Sequence, residues 1–232
     1  KHHGSPDTIL EIGPGQGVLT KQLVKLARQV IAVEIDRTFS QYLDPLQHQH
    51  PNLTIIYADI LKLNLVELGL QSGEYSVASN LPYQITGSVL RRFLTEPPYP
   101  SHLALLIQKE VAQRLTAKPG DLSILGLSVQ VFSQPHIIRT VGKEAFRPKP
   151  NVMSAIVSLE RIRKIAIVPL HQEKAFFRLL KIGFAQKRKL LSNNLLNVLE
   201  KIPKPELLQL FFTMGIKETA RAQELSLAQW VR

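Results

Sequence analysis

The segment Asn80-Leu81-Pro82-Tyr83 combines residue types suited to holding an exocyclic amine. An Asn side-chain oxygen and the backbone carbonyl beside a Pro can accept both N–H bonds of such an amine, and the Tyr83 ring offers a face for a base to stack on. A second segment, Phe146-Arg147-Pro148-Lys149-Pro150-Asn151-Val152-Met153-Ser154, reads as a stiff Pro-spaced loop presenting Phe146. A nucleobase flipped out of an RNA strand needs two aromatic faces and a bonded amine, which makes Tyr83 and Phe146 candidate clamps. Taken alone, Phe146 reads better as core packing at a loop end; the Pro-spaced context turns the reading toward function. The chemistry suggested is methyl transfer to an amine-bearing base.

A donor site is expected upstream. Gly13, Gly15 and Gly17 in Gly13-Pro14-Gly15-Gln16-Gly17 allow tight turns and close backbone approach to a ligand. The pattern lacks the final step of the G-x-G-x-x-G dinucleotide fingerprint, and Glu11 precedes it by two residues, which favours a ligand without a pyrophosphate, namely S-adenosylmethionine. Glu34 falls where a carboxylate commonly bonds the two ribose hydroxyls, and Asp59 can accept a bond from an adenine amine. A glycine turn alone also serves NAD binding or simple close packing, and Glu34 alone reads as a surface carboxylate.

These residues must be held by particular elements. Thr8 to Ile12, Val30 to Val33, Leu53 to Tyr57 and Tyr75 to Ser79 read as strands, each ending just before one of the groups named above. Val18 to Leu26, Phe39 to Leu46 and Ile85 to Leu94 read as helices, followed by a strand from Leu103 to Ile107 and a helix from Lys109 to Leu115. Ile124 to Phe132, Ile137 to Val141 and Ala155 to Leu159 read as further strands, some antiparallel. The alternation predicts an α/β fold: a mostly parallel sheet with helices on both faces. Ligands of such sheets bind outside the carboxyl ends of the strands, where the named residues fall.

Beyond Arg163 the pattern changes. Phe176, Phe177, Leu179, Leu180, Leu190, Leu191, Leu195, Leu196 and Leu199 fall at helical spacings without strand alternation, so the expected domains are 1–163 and 164–232. Pro203 and Pro205 break the helical run, and Leu207 to Met214 and Leu225 to Val231 read as later short helices. Between Arg161 and Lys189 the basic residues Arg161, Arg163, Lys164, Lys174, Arg178, Lys181, Lys187, Arg188 and Lys189 enclose a single acid, Glu173. Such a cluster is either a solvated helix face or a phosphate-holding surface, and the local excess favours nucleic acid.

Composition sets the outer bounds. The 232 residues are 44% hydrophobic, enough for a core, and 29 Lys+Arg against 18 Asp+Glu give a formal net charge of +11, suited to a polyanionic partner. Cys is absent, which removes disulfides and thiolate metal sites. His2 and His3, before Gly4-Ser5, and His48 and His50, before Pro51, do not resemble a metal site. No apolar run approaches a membrane span and no leader pattern appears, so a cytoplasmic protein without a membrane partner is expected.

With these segments in hand, the chain resembles the ribosomal RNA adenine dimethyltransferase family. The resemblance rests on Leu10-Glu11-Ile12-Gly13-Pro14-Gly15-Gln16-Gly17-Val18-Leu19-Thr20, Val33-Glu34-Ile35-Asp36, Ala58-Asp59-Ile60, Asn80-Leu81-Pro82-Tyr83-Gln84-Ile85-Thr86, Gln108-Lys109-Glu110-Val111 and the Phe146 to Ser154 loop. Gly183-Phe184-Ala185-Gln186-Lys187-Arg188-Lys189 and Arg221-Ala222-Gln223-Glu224-Leu225 add to it.

The resemblance implies a seven-stranded, Rossmann-like methyltransferase sheet with a small C-terminal helical domain that docks on RNA. It implies N6,N6-dimethylation of two adjacent adenosines near the 3′ end of small-subunit ribosomal RNA, from S-adenosylmethionine, by a monomer acting on the immature small subunit. It further implies Leu19, Ile35, Ile60 and Asn80 as donor contacts beside Glu11, Glu34 and Asp59, and Arg147, Lys149, Lys181, Lys187, Arg188 and Lys189 as RNA contacts. Large-subunit modification of the macrolide-resistance type and a non-catalytic assembly factor stand as alternatives. Relatives carry an F-G-Q-type segment before the Gly loop that helps close the donor site; this chain reaches Gly13 almost at once, and the expectation is a donor site short of that wall.

Overall fold

The computed structural model describes residues 7–163, 167–198 and 202–232; His2, His3, Lys164 and Leu199 lie outside them. The chain divides into two compact units, one drawn from residues 1–112 and 133–164, the other from residues 113–132 and 165–232. The second unit thus takes in a stretch that precedes Arg163.

In the first unit β1 (Thr8–Ile12), β2 (Gln29–Glu34), β3 (Leu53–Tyr57), β4 (Tyr75–Asn80), β5 (His102–Gln108), β6 (Gln134–Val141) and β7 (Ser154–Glu160) form a seven-stranded sheet ordered β3-β2-β1-β4-β5-β7-β6. The first five strands pair in parallel, and β7 runs antiparallel to both β5 and β6. Ile9 to Ile12 and Val30 to Glu34 are buried without a break. Successive strand residues face opposite sides, so an unbroken buried run means that both faces of the central sheet are covered.

On one face α1 (Thr20–Leu23) and α2 (Ser40–Gln49) bring Leu23, Leu43 and Leu46 into a cluster with Ile9, Val30, Ala32 and Leu53. The regular part of α1 is a single turn, shorter than the Val18 to Leu26 expectation. Thr20 and Leu23 are its buried residues, Val24 and Ala27 just after it are buried too, and Val18 and Leu26 are 74% and 60% exposed. α3 (Thr86–Thr95) buries Val89, Leu90, Phe93 and Leu94 at helical spacing, and α4 (Lys109–Leu115) follows β5 directly.

The second unit contains α5 (Ile124–Gln130), α6 (Glu173–Gly183), α7 (Leu191–Leu196), α8 (Lys204–Thr213) and α9 (Leu227–Val231). The expected strand from Ile124 to Phe132 is the helix α5. Ser123 Oγ accepts the Gly126 N–H at 3.1 Å as an N-cap, and Ser128 Oγ donates back to the Ile124 carbonyl at 2.7 Å. Gln130 Nε2 donates to the carbonyls of Leu115 and Ala117, both at 2.9 Å, satisfying groups at and just after the end of α4. Phe184 stacks on Trp230 with centroids 5.6 Å apart, and Gly183 admits the Trp230 ring where any side chain would collide with it. Among the described residues no helix is long and apolar enough to cross a membrane.

Candidate active site

The strand order places β2 and β3 on one side of β1 and β4 and β5 on the other, so the connections diverge between β1 and β4. That divergence opens a crevice at the carboxyl ends of these two strands. β1 delivers the glycine loop to it and β4 delivers Asn80. The two are joined at the rim: Ser79 Oγ donates to the Ile12 carbonyl at 2.5 Å, and Gly13 lies so close to Pro82 that a Cβ there would be 3.9 Å from its Cδ. Gly13, Gly15 and Gly17 all have positive φ, at +64°, +55° and +77°, in the left-handed region that glycine alone enters freely. Gly17 has a second constraint, since a Cβ would lie 2.5 Å from Leu46 Cδ1.

Glu34 and Glu11 flank this loop. Glu34 is 5% exposed, and its oxygens accept the N–H of Gly15 at 3.0 Å and of Asp36 at 2.9 Å. A carboxylate has about four acceptor positions, so two remain for further donors. Glu11, 1% exposed, has a buried Oε2 without a hydrogen-bond partner. Burial pushes its pKa up to about 7; the nearby Thr20 hydroxyl offsets part of that rise, and the charge of Glu34 adds to it.

Asp59 follows β3 and shapes a turn. Its Oδ1 accepts the Leu61 N–H at 2.9 Å, and Oδ2 faces Lys62 Nζ at 3.8 Å. Ile60 is buried, Leu19 half-buried, and Ile35, next to Glu34, is 69% exposed, an uncovered apolar surface beside a carboxylate.

On the acceptor side Asn80 is exposed at the end of β4. Among the described residues its amide makes no hydrogen bond, and the Leu81 carbonyl accepts none, while the Leu81 N–H is bonded to the Leu106 carbonyl at 3.2 Å. The buried Leu81 side chain anchors the segment. Tyr83 opens a 3-10 turn, and its hydroxyl lies 2.8 Å from Ser154 Oγ, at the start of β7. That strand start pairs with Gln108 and with Val141, so the Phe146 loop springs from the strand end to which Tyr83 is tied. Phe146 is half-buried at the loop's opening. Lys143 Nζ donates to the Asn151 carbonyl and Lys149 pairs with Glu144 at 3.2 Å, closing the loop on itself.

The cations divide by partner. Arg147 is exposed, as are Lys181, Lys187, Arg188 and Lys189, and none of these is in an ion pair among the described residues. Arg163, by contrast, donates from Nε to the Leu94 carbonyl at 2.7 Å and lies over the Tyr99 ring at 4.7 Å, so part of its guanidinium is engaged within the protein. Sequence reasoning also passed over Ser79, Thr20 and Ser154 as functional groups. Single hydroxyl residues carry no pattern; only Ser154, at the end of the Pro-spaced loop, had a visible signal.

A family model described as ribosomal RNA adenine dimethylase matches residues 5–232. A protein of Dehalococcoides mccartyi named ribosomal RNA small subunit methyltransferase A is 41% identical over 224 residues, which cover 97% of this chain and 76% of the relative. Its namesake in Nostoc punctiforme is 40% identical over 237 residues, covering 97% and 81%. Among solved structures, a dimethyladenosine transferase from Plasmodium falciparum aligns with a TM-score of 0.79 at 26% identity, and the 23S rRNA methyltransferase ErmE with 0.77 at 26%. Each alignment covers 97% of this chain and 88% of the other.

Proposed function

The chain belongs to the ribosomal RNA adenine dimethylase family, and on that premise we propose that it dimethylates N6 of two adjacent adenosines near the 3′ end of small-subunit ribosomal RNA. It acts as a cytoplasmic monomer on the immature subunit. The small-subunit assignment is favoured over the large-subunit one by the relatives at about 40% identity, which are named for the small subunit. Fold alone does not separate the two, since ErmE aligns nearly as well as the dimethyladenosine transferase.

The residues at the strand ends fit S-adenosylmethionine. Glu11 Oε2, buried and unpaired, is an acceptor for an ammonium group; the free lone pairs of Glu34 suit ribose hydroxyls; Asp59, Ile60 and the exposed Ile35 suit an adenine amine and ring faces. Gly13 and Gly15, with positive φ, turn the backbone toward the ligand, Gly17 makes room for Leu46 of α2 behind the loop, and Leu19 follows it. When bound, this group supplies an electrophilic methyl on a sulfonium. Positioning is then the main task left to the protein. In the first transfer Asn80 Oδ1 and the Leu81 carbonyl accept the two N–H bonds of the target amine and turn its lone pair out of conjugation. The nitrogen gives up one proton to solvent at each transfer, so in the second a single N–H is left for them to hold, and Tyr83 and Phe146 keep the base between them. Arg147, Lys149, Lys181, Lys187, Arg188 and Lys189 hold phosphates, which fix the register of the RNA without reading its bases.

The single observation carrying this reading is the pair of unengaged acceptors, Asn80 Oδ1 and the Leu81 carbonyl, locked beside the glycine loop. Asn80→Ala should lower the rate of methyl transfer to unmethylated small-subunit particles by roughly 10²-fold through misplacement of the amine, read at saturating donor because Asn80 is also a donor contact. Dimethyladenosine quantified by mass spectrometry of the particle RNA decides it: turnover at the wild-type rate removes Asn80 from the mechanism.

A further inference from the structure

α3 starts shortly after the amine-binding segment, and its last turn carries Arg92. The Arg92 guanidinium donates from Nη1 to the Leu61 carbonyl at 3.2 Å and from Nη2 to the Leu63 carbonyl. Only 16% of its side chain is exposed; Nε is buried without a hydrogen-bond partner, and Glu96 Oε2 lies 3.4 Å from Nη1. Packing alone does not call for this residue. A buried guanidinium is costly unless its donors are satisfied, and a Met or Leu stem would fill the same space without that cost.

What Arg92 grips is the turn that begins at Asp59. From the inside this turn is held by Asp59 itself: its carboxylate accepts the Leu61 N–H, and its carbonyl accepts the N–H of Lys62 at 2.9 Å and of Leu63 at 3.1 Å. Its outward carbonyls are the ones Arg92 takes. Arg92 is in turn fixed, because the end of α3 is tied down by the bond from Arg163 to the Leu94 carbonyl. The turn that carries Asp59 and Ile60 is therefore clamped to the helix that follows Asn80 to Tyr83.

We propose that Arg92 is a positioning residue for donor recognition, holding the turn from Asp59 to Leu63 in the shape that presents Asp59 and Ile60 to the adenine of the donor. The proposal rests on the role given above to Asp59 and Ile60. Its chemistry is distinctive in one respect: a cation that touches neither donor nor acceptor sets the affinity for the donor alone.

The test uses the whole protein with S-adenosylhomocysteine as the probe, bound calorimetrically, and hydrogen exchange in the absence of any probe. Arg92→Met should weaken S-adenosylhomocysteine by roughly tenfold, the scale of a lost charge-assisted hydrogen bond, and Arg92→Lys by less. Amide exchange should accelerate at Lys62 and Leu63 but not at Leu90 and Phe93 within α3, and affinity for the RNA should not move. Wild-type probe affinity in Arg92→Met, or exchange accelerated throughout the first unit alike, overturns the proposal. If Arg92→Met does not fold, the same two readouts on Arg92→Lys decide. Asp59→Ala separates the premise from the proposal: were it to bind the probe as the wild type does, the assignment of Asp59 fails and the proposal with it; were it weakened while Arg92→Met is not, the proposal alone fails.

Discussion

Glu34 and Glu11 are both buried at the mouth of the donor crevice, yet only Glu34 has both oxygens bonded by backbone N–H groups. Glu11 lacks such donors, and its pKa of about 7 against an ordinary 4.5 makes it a proton-linked site. The folded protein keeps the Glu11 proton up to near pH 7, whereas the unfolded chain releases it near 4.5. Unfolding between those values releases a proton, so the contribution to stability is complete below about pH 4.5, declines through the window and is gone above about pH 7. The whole effect is about 3 kcal/mol at 1.36 kcal/mol per unit. Glu11→Gln keeps the shape and carries no titrating proton. Urea unfolding at about pH 5 and about pH 8 should show the variant gaining on the wild type as pH rises; an unchanged difference between the two would refute the burial account.

At the scale of elements, the glycine loop makes a differential test. Gly15 and Gly17 share positive φ, so an Ala at either pays about 1–2 kcal/mol of backbone strain. Around Gly15 there is open space, while a Cβ at Gly17 would meet Leu46 Cδ1 at 2.5 Å and Leu43 Cδ2 at 3.5 Å within the cluster that seats α1 and α2. Overpacking of that kind adds about 1–3 kcal/mol, so Gly17→Ala should lower the urea midpoint clearly further than Gly15→Ala. Equal losses would mean that the loop and α2 do not meet as described. The same elements mark what was legible in the sequence. Strands β1 to β4 and their chemical endings, Gly13, Glu34, Asp59 and Asn80, could be read because each is a largely apolar stretch that runs up to one polar or glycine residue. α5 could not: Leu125, Leu127, Val129 and Val131 alternate with Gly126, Ser128 and Gln130 at period two, and what makes the stretch helical is the Ser123 cap and the bonds Gln130 sends to the end of α4. Arg92 was illegible for a similar reason, because its partners are carbonyls some thirty residues away and carbonyls leave no trace in a sequence.

Over the whole molecule, a net charge of +11 is informative only through the cations that are free to meet phosphate. Lys149 has Glu144 at 3.2 Å, so its charge is already shared. Lys187, Arg188 and Lys189 are exposed and without an ion-pair partner, and the backbone leading into them is pinned where Asn194 Nδ2 donates to the carbonyls of Gly183 at 2.6 Å and Gln186 at 3.2 Å. A pinned turn presents its charges at fixed positions, which lowers the ordering cost of binding. Each phosphate neutralised contributes about 0.7–0.9 to the slope of log affinity against log salt. Replacing Lys187, Arg188 and Lys189 together by Ala should therefore reduce that slope by about 2 for a ribosomal RNA fragment, weaken binding evenly across sequences and leave S-adenosylhomocysteine affinity unchanged. Lys149→Ala should reduce it by less than about 1 because Glu144 has already discounted its charge. Fluorescence anisotropy across a salt series reads all of this. If the triple variant keeps the wild-type slope, the second unit does not carry the phosphate contacts, and the RNA must be held by the first unit alone.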